Sequence, residues 1–333
     1  KMEAVSDFLF FIRPRRFGKS LFLSMVADYY DCENYKDIDE EFQGTWIAEH
    51  PLETKGKFQV LSLDFSQVVG CADNLQDAFH VYLGIKIDAF LRKYGKYYSQ
   101  KAIEAAHNAP TAGGKIAAFV GEAKEKGYQL YLIIDEYDNF TNVVLNEQGH
   151  DVYHEMTHGS GFYRDVFKTF KPNFTRILFM GVSPITLDDL TSGFNIATNI
   201  SVHYWFNNLL GFSETDVREM IRYYQEVGRI TKPEDEIIAE MKPWYDNYCF
   251  SEECYGVEPC MYNSNMVIYY MNTLITTGRP PKDMRDPNSK TDYAKMKRLV
   301  SLDRLDGDRK GVVRTIAEQG YIDTTIETTF PAI

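Results

Sequence analysis

Cysteine is scarce, with five residues in 333, too few for a disulfide scaffold. A reducing, cytoplasmic setting is therefore expected. Long apolar runs are missing as well. None reaches the ~18 residues a membrane-spanning helix needs, and no basic–apolar–small leader opens the chain. Positive charge is in deficit: 36 Lys and Arg against 48 Asp and Glu give a net charge of −12. That balance argues against general affinity for nucleic-acid phosphates and leaves only a local basic patch as a route to them. No internal repeat and no low-complexity segment is present. What remains is an ordinary globular mixture, 44% hydrophobic and 25% charged, which excludes a disordered or fibrous chain. The chain drops into an apolar strand almost at once and stops at Ile333 without a closing element. It reads as a fragment cut at both ends.

Short, continuously apolar runs at 8–12, 58–64, 130–134 and 176–182 read as buried strands of a parallel sheet. A fifth strand is expected within 200–211. Helical spacing is present at 21–30, 74–94, 114–127 and 162–170, with the breaker stretch 108–114 between the second and third. From Ser213 the texture changes to helices alone. Ser213 caps a helix with acids in its first turn, and helices are expected at about 214–227, 234–247 and 263–276. A Pro/Lys/Asp-rich linker at 279–290 precedes two more helical stretches. The expectation is an α/β core over 1–212, a parallel sheet flanked by helices, then a helical unit over 213–333.

The chemistry begins at Gly18-Lys19-Ser20, between the strand 8–12 and a helix. A phosphate-binding loop needs a glycine where backbone meets phosphate, a lysine for the β/γ oxygens and a hydroxyl for Mg²⁺. The helix that follows aims its N–H groups at the anion. The full pattern wants glycine at position 13, where this chain has Arg13, and Pro14 removes a donor. Arg13, Arg15, Arg16 and Lys19 form a basic island in an acidic chain, expected to cradle phosphate. About 115 residues downstream, the apolar strand Leu130–Ile134 ends in Asp135-Glu136. An aspartate there supports the Mg²⁺ shell, and the adjacent glutamate is placed to polarise the attacking water. Ser183, at the end of the strand 176–182, is a candidate neighbour of the γ-phosphate. A surface turn, a solvated strand end and a Ser-Pro turn are the bland alternatives for these three elements.

The strings RPRRFGKSLFLS, LSLDFS, LIIDEYD, FMGVSPITLDDLTSGFNIATNIS, LLGFSETDV and WYDNYCFS resemble the bacterial AAA-ATPase-like proteins, which often carry a C-terminal PD-(D/E)XK nuclease-like domain. The resemblance implies a P-loop NTPase core that binds ATP and Mg²⁺, with a helical lid and with strand 176–182 between strands 8–12 and 130–135. It carries over Lys19 and Ser20 as phosphate and Mg²⁺ contacts, Asp135 as the Mg²⁺-supporting acid, through water, and Glu136 as the catalytic acid. Arg15, Arg16, Phe17, Gly18, Lys19, Ser20 and Leu21 are the expected nucleotide-binding residues, and Glu136, Lys19 and Ser183 the expected catalytic ones. One departure is His203-Tyr204-Trp205-Phe206, where the family often has an arginine; Arg15, Arg16 or a partner's arginine is the substitute to look for. The expected partners are nucleotide and a second copy or partner protein, with DNA reached only through the nuclease-like domain. The implied function is Mg²⁺-dependent ATP binding with slow hydrolysis coupled to lid or partner movement. A nucleotide-dependent switch without turnover is the alternative.

His154-Glu155-Met156-Thr157-His158 competes, because two histidines one helical turn apart can hold Zn²⁺ with the glutamate as base. The third-ligand position is Arg164, which cannot ligate, so a polar loop is the preferred reading. Cys249, Cys254 and Cys260 lack a C-x-x-C pair and read as free thiols. Lys295, Lys297 and Arg298 belong to a basic stretch interleaved with Asp303, Asp306 and Asp308, which reads as a solvated helical face.

Overall fold

Five parallel strands form one sheet in the order β2-β3-β4-β1-β5. They are β1 (Phe8–Ile12), β2 (Phe58–Asp64), β3 (Gln129–Asp135), β4 (Arg176–Gly181) and β5 (Thr198–Asn199). The computed structural model describes residues 1–34, 38–68, 74–140, 144, 152, 155–156, 162–182, 197–287, 315 and 318–320. The order places β4 between β1 and β3, as the resemblance implied.

The strands β1, β3 and β4 are apolar along most of their length because helices cover both faces. Along β1, Phe10 points into one cluster, with Leu61, Leu132 and Phe179. Its neighbours Leu9 and Phe11 point into the other, with Val60, Ile133 and Leu178. Each of these three β1 side chains is 3% exposed or less. Burial of that completeness contributes about 2 kcal/mol per side chain. Helix α1 (Lys19–Tyr30) covers the second face through Leu23, Val26 and Tyr30. Helices α2 (Leu75–Tyr94), α3 (Gln100–Asn108), α4 (Ala112–Glu125) and α5 (Phe162–Phe170) pack on the first.

Two expectations are corrected. Residues 200–211 are not a strand. On the side of β1 away from β4, the paired strand among the described residues is Thr198–Asn199, and a short 3₁₀ turn occupies Tyr204–Phe206. The ladder stops because the Ser201 hydroxyl accepts the Ile12 amide at 2.9 Å, where a backbone carbonyl would continue the strand. The breaker stretch 108–114 is also narrower than expected. Helix α3, capped by Ser99, runs up to Asn108, and Thr111 caps α4 from Ala112.

Helices α6 (Glu214–Glu226), α7 (Glu234–Tyr245) and α8 (Ser264–Thr277) enclose a separate core that includes Val217, Ile237, Met241, Tyr262 and Tyr270. Ser213 caps α6 in a full capping box with Asp216, and Asn263 caps α8 by accepting from the Met266 amide. The linker expected at 279–290 is described to residue 287, as turns and bends. The two further helical stretches and the basic run from Lys295 lie outside the described residues, apart from 315 and 318–320.

Candidate functional site

The chain leaves β1 through a loop of residues 13–18 and enters α1 at Lys19. The Arg13 amide still bonds the Gly181 carbonyl at 3.2 Å, so the loop starts registered to the sheet. Gly18 then takes φ +89° as the helix N-cap, a left-handed conformation that glycine adopts without steric cost. Arg16 takes φ +71° without that freedom.

Lys19 is 5% exposed and folds back over its own loop. Its Nζ donates to the carbonyls of Arg13 and Pro14, both at 3.2 Å, and lies 3.9 Å from Glu136 Oε1. Burial pushes its pKa down, and the charges of Glu136 and Asp135 oppose that shift. The Ser20 hydroxyl donates to Asp135 Oδ2, and the Glu136 amide donates to Asp135 Oδ1 at 2.9 Å. Burial pushes the Asp135 carboxyl up, against the Ser20 hydrogen bond. Glu136 follows with φ +49°, a backbone turn that swings its carboxylate toward Lys19. Burial raises its pKa too, and Lys19 opposes. So Lys19, Ser20, Asp135 and Glu136, drawn from two distant stretches, meet where β1 and β3 end.

These four border a cleft of about 1130 Å³, closed on its far side by residues 209–212 and the start of α8. The other expected residues divide. Arg15 is exposed on the cleft, and its side chain makes no hydrogen bond or ion pair among the described residues. Arg16 lines the cleft, but its guanidinium is held by Asn265 and Asp286. The Phe17 ring is buried edge-on against Tyr248 at 4.8 Å and Phe250 at 5.6 Å. Leu21 stands 68% exposed at the cleft. Ser183 lies outside the described residues, although β4 ends beside β1 and β3 as that expectation required.

Arg13 is a correction. Expected in the phosphate cradle, it is 1% exposed and turned away from the cleft. It donates to the carbonyls of Ile12 (2.8 Å), Ser201 (2.8 Å) and Phe206 (2.6 Å), and stacks between the rings of Phe11 and Phe250. No carboxylate pairs with it among the described residues, and burial pushes its pKa down to about 9. It staples the loop to the 201–206 turn. Arg13→Ala is expected to cost about 3 kcal/mol in a denaturant titration, because it strands three carbonyls and opens a cavity. Arg13→Lys is expected to recover little, since one ammonium cannot span the same fan of acceptors.

Asp64 was missed as a site residue. It ends β2 in register with Asp135 and lines the same cleft. Its carboxylate accepts the Ser66 amide at 3.0 Å and the Gln67 amide side chain at 2.9 Å. The signal was present: an apolar strand ending in an acid, the pattern used to find Asp135. Asp138 was missed too. It is 1% exposed and accepts the Val182 amide at 3.2 Å. Gly181 admits it, since a β-carbon there would sit 2.4 Å from Asp138 Oδ1.

Residues 1–191, more than half of the chain, match the profile of a family described as predicted AAA-ATPase. The chain belongs to this AAA-ATPase-like family. The chain is also similar to an uncharacterised protein in the vnfD 5′ region of Azotobacter chroococcum mcd 1, at 25% identity over 251 residues. That match covers 73% of this chain and 42% of the relative, so the chain spans about two fifths of that protein's length.

His154 and His158 of the competing metal motif lie outside the described residues. Between them Glu155 is exposed and Met156 packs into the core at 4% exposure. Among the described residues no group of three His, Cys, Asp or Glu side chains is arranged to hold a metal ion. Cys249 contacts the Ser251 carbonyl at 3.3 Å and Cys254 is buried near the Tyr204 carbonyl. No helix among the described residues is long and apolar enough to cross a membrane.

Proposed function

We propose that this AAA-ATPase-like chain binds Mg·ATP in the cleft and hydrolyses it slowly. The observation that carries the reading is the meeting of Lys19, Ser20, Asp135 and Glu136 at the carboxyl ends of β1 and β3, the parallel strands on either side of β4, where α/β sheets hold their ligands. The hard oxygen donors fit Mg²⁺. A hydroxyl in direct contact with a carboxylate suits an ion that keeps most of its waters and takes one or two protein ligands. Ser20 would hold it directly and Asp135 through water. When bound, Mg²⁺ supplies charge neutralisation on the phosphate oxygens.

The residues of the chain supply the rest. The backbone of 15–20 and the start of α1 present N–H groups to the phosphates. Lys19 exchanges its carbonyl contacts for phosphate oxygens, and Arg15 adds a second cation from the open side. Glu136 orients a water and takes its proton as the oxygen bonds the γ-phosphorus. The bond from that phosphorus to the β–γ bridging oxygen breaks and ADP leaves. Contacts from the start of α8 to the loop support coupling of this site to movement of the helical unit as a lid. A cytoplasmic setting, a second copy or partner protein, and DNA engagement through a nuclease-like domain remain parts of the proposal.

The alternative is a switch that binds without turnover. The 3.9 Å contact between Lys19 and Glu136 favours it, because the base is partly neutralised by the cation meant for phosphate. Mg·ATP binding followed by steady-state phosphate release separates the two. Binding with turnover supports hydrolysis, binding without it supports the switch, and no binding sinks both.

A pH dependence follows. Burial raises the Glu136 pKa, and the proton acceptor must be ionised. Turnover is lost as pH falls through that raised value. The acid limb of the phosphate-release profile is therefore expected above the ordinary glutamate range. An acid limb near 4 would show that Glu136 is not the base.

A further inference from the structure

Arg15 and Arg16 are chain neighbours with opposite surroundings. Arg15 is exposed on the cleft with no side-chain bond among the described residues. Arg16 is engaged at its carbonyl and through one guanidinium nitrogen, Nη1. Its carbonyl accepts the Asn265 amide and the Ser264 hydroxyl, both at 3.2 Å. Its guanidinium donates to Asn265 Oδ1 at 2.7 Å and to Asp286 Oδ2. Asp286 is nearly buried, with 9% of its side chain exposed, against 28% for Arg16. The stretch that carries Asp286 is itself tied down, because the Tyr245 hydroxyl donates to the Met284 carbonyl at 2.5 Å and the Tyr269 hydroxyl to the Asp283 carbonyl at 3.0 Å.

We infer that Arg16 is a positioning residue, not a phosphate ligand: its pair with Asp286 and its bonds to the start of α8 hold the loop in the shape that binds nucleotide. The inference rests on the nucleotide reading above. A residue other than glycine at φ +71° needs surroundings that impose that conformation, and here side chain and carbonyl are both fixed by the helical unit. Contact with phosphate through Nη1 would take the guanidinium from a carboxylate that is almost out of water, where such a pair is costly to break. Residues 263–286 thus form part of the site while lying outside the 1–191 family match.

The two roles predict opposite signs for one substitution. The test uses the whole chain with Asp286→Asn, Arg16→Ala, both together, and the swap Arg16→Asp with Asp286→Arg. Aspartate tolerates the left-handed backbone better than most residues, so the swap is a fair rescue. Two readouts are taken: ATP affinity with Mg²⁺, and hydrogen exchange of amides 15–20. The expectation is that Asp286→Asn weakens ATP about 10-fold, Arg16→Ala does the same, and the double variant is no worse than either. Both singles speed exchange in the loop, and the swap restores affinity and protection. Tighter ATP binding by Asp286→Asn, as a freed phosphate ligand would give, overturns the inference. So do additive losses in the double variant. If the parent chain binds no ATP, the nucleotide reading falls by itself. Loop exchange then decides: faster exchange reversed by the swap supports the positioning role, and unchanged exchange overturns it.

Discussion

Lys19→Ala is expected to abolish measurable ATP binding, a loss of ~100-fold or more by calorimetry. The lysine is buried at the loop, where water screens its charge poorly, and the anion it would face carries several charges. The same substitution is expected to leave the protein without nucleotide as stable as the parent, because burial already penalises the Lys19 charge. The ATP-induced rise in melting temperature is expected to vanish with it, by mass action. Retained tight binding in Lys19→Ala would move the ligand out of this cleft altogether.

Glu136→Gln has the complementary signature. Turnover is expected to fall ~1000-fold, the usual scale for loss of a positioned base, while ATP binding is kept or tightened. The amide preserves shape and hydrogen bonding but cannot take a proton. It also removes a negative charge 3.9 Å from the Lys19 ammonium and beside the expected polyphosphate. Phosphate release and nucleotide affinity, measured on the same protein, check both halves. Equal turnover in parent and variant would end the base assignment. Weak binding with intact turnover is incompatible with the proposed arrangement in any form.

The four residues at the centre of these predictions were legible in the sequence for physical reasons. Strands buried on both faces are apolar at every position, so Phe8–Ile12 and Leu130–Ile134 stood out, and the polar residues ending them had to lie at one rim of a parallel sheet. What was not legible depended on partners far along the chain. Arg13 looked like part of a basic cradle because its charge adjoins Arg15 and Arg16. Its actual surroundings are Ser201, Phe206 and Phe250, and local spacing carries no trace of them. Arg16 finds Asp286 270 positions away. The fifth strand was expected in the run 200–211, but one serine side chain ends the pairing before that run, at Thr198–Asn199. Asp64 differs from these: its pattern was readable, and only its register beside Asp135 gave it a place in the cleft.

The interior position of β1, between β4 and β5, has a consequence for how the protein is made. Phe8 pairs with Ile177 and Ile12 with Gly181, so this strand has its main neighbour roughly 170 residues later in the chain. At the usual ~5–20 residues per second, that is about 10–30 s of translation. Strands β2 and β3, with the helices between them, can assemble in the meantime. Until then the apolar segment Phe8–Ile12 lacks its β4 neighbour. The loop that follows it gains its place only after β4 arrives and residues 263–286 bond to it, so nucleotide affinity is expected only once the chain has been made to about residue 286.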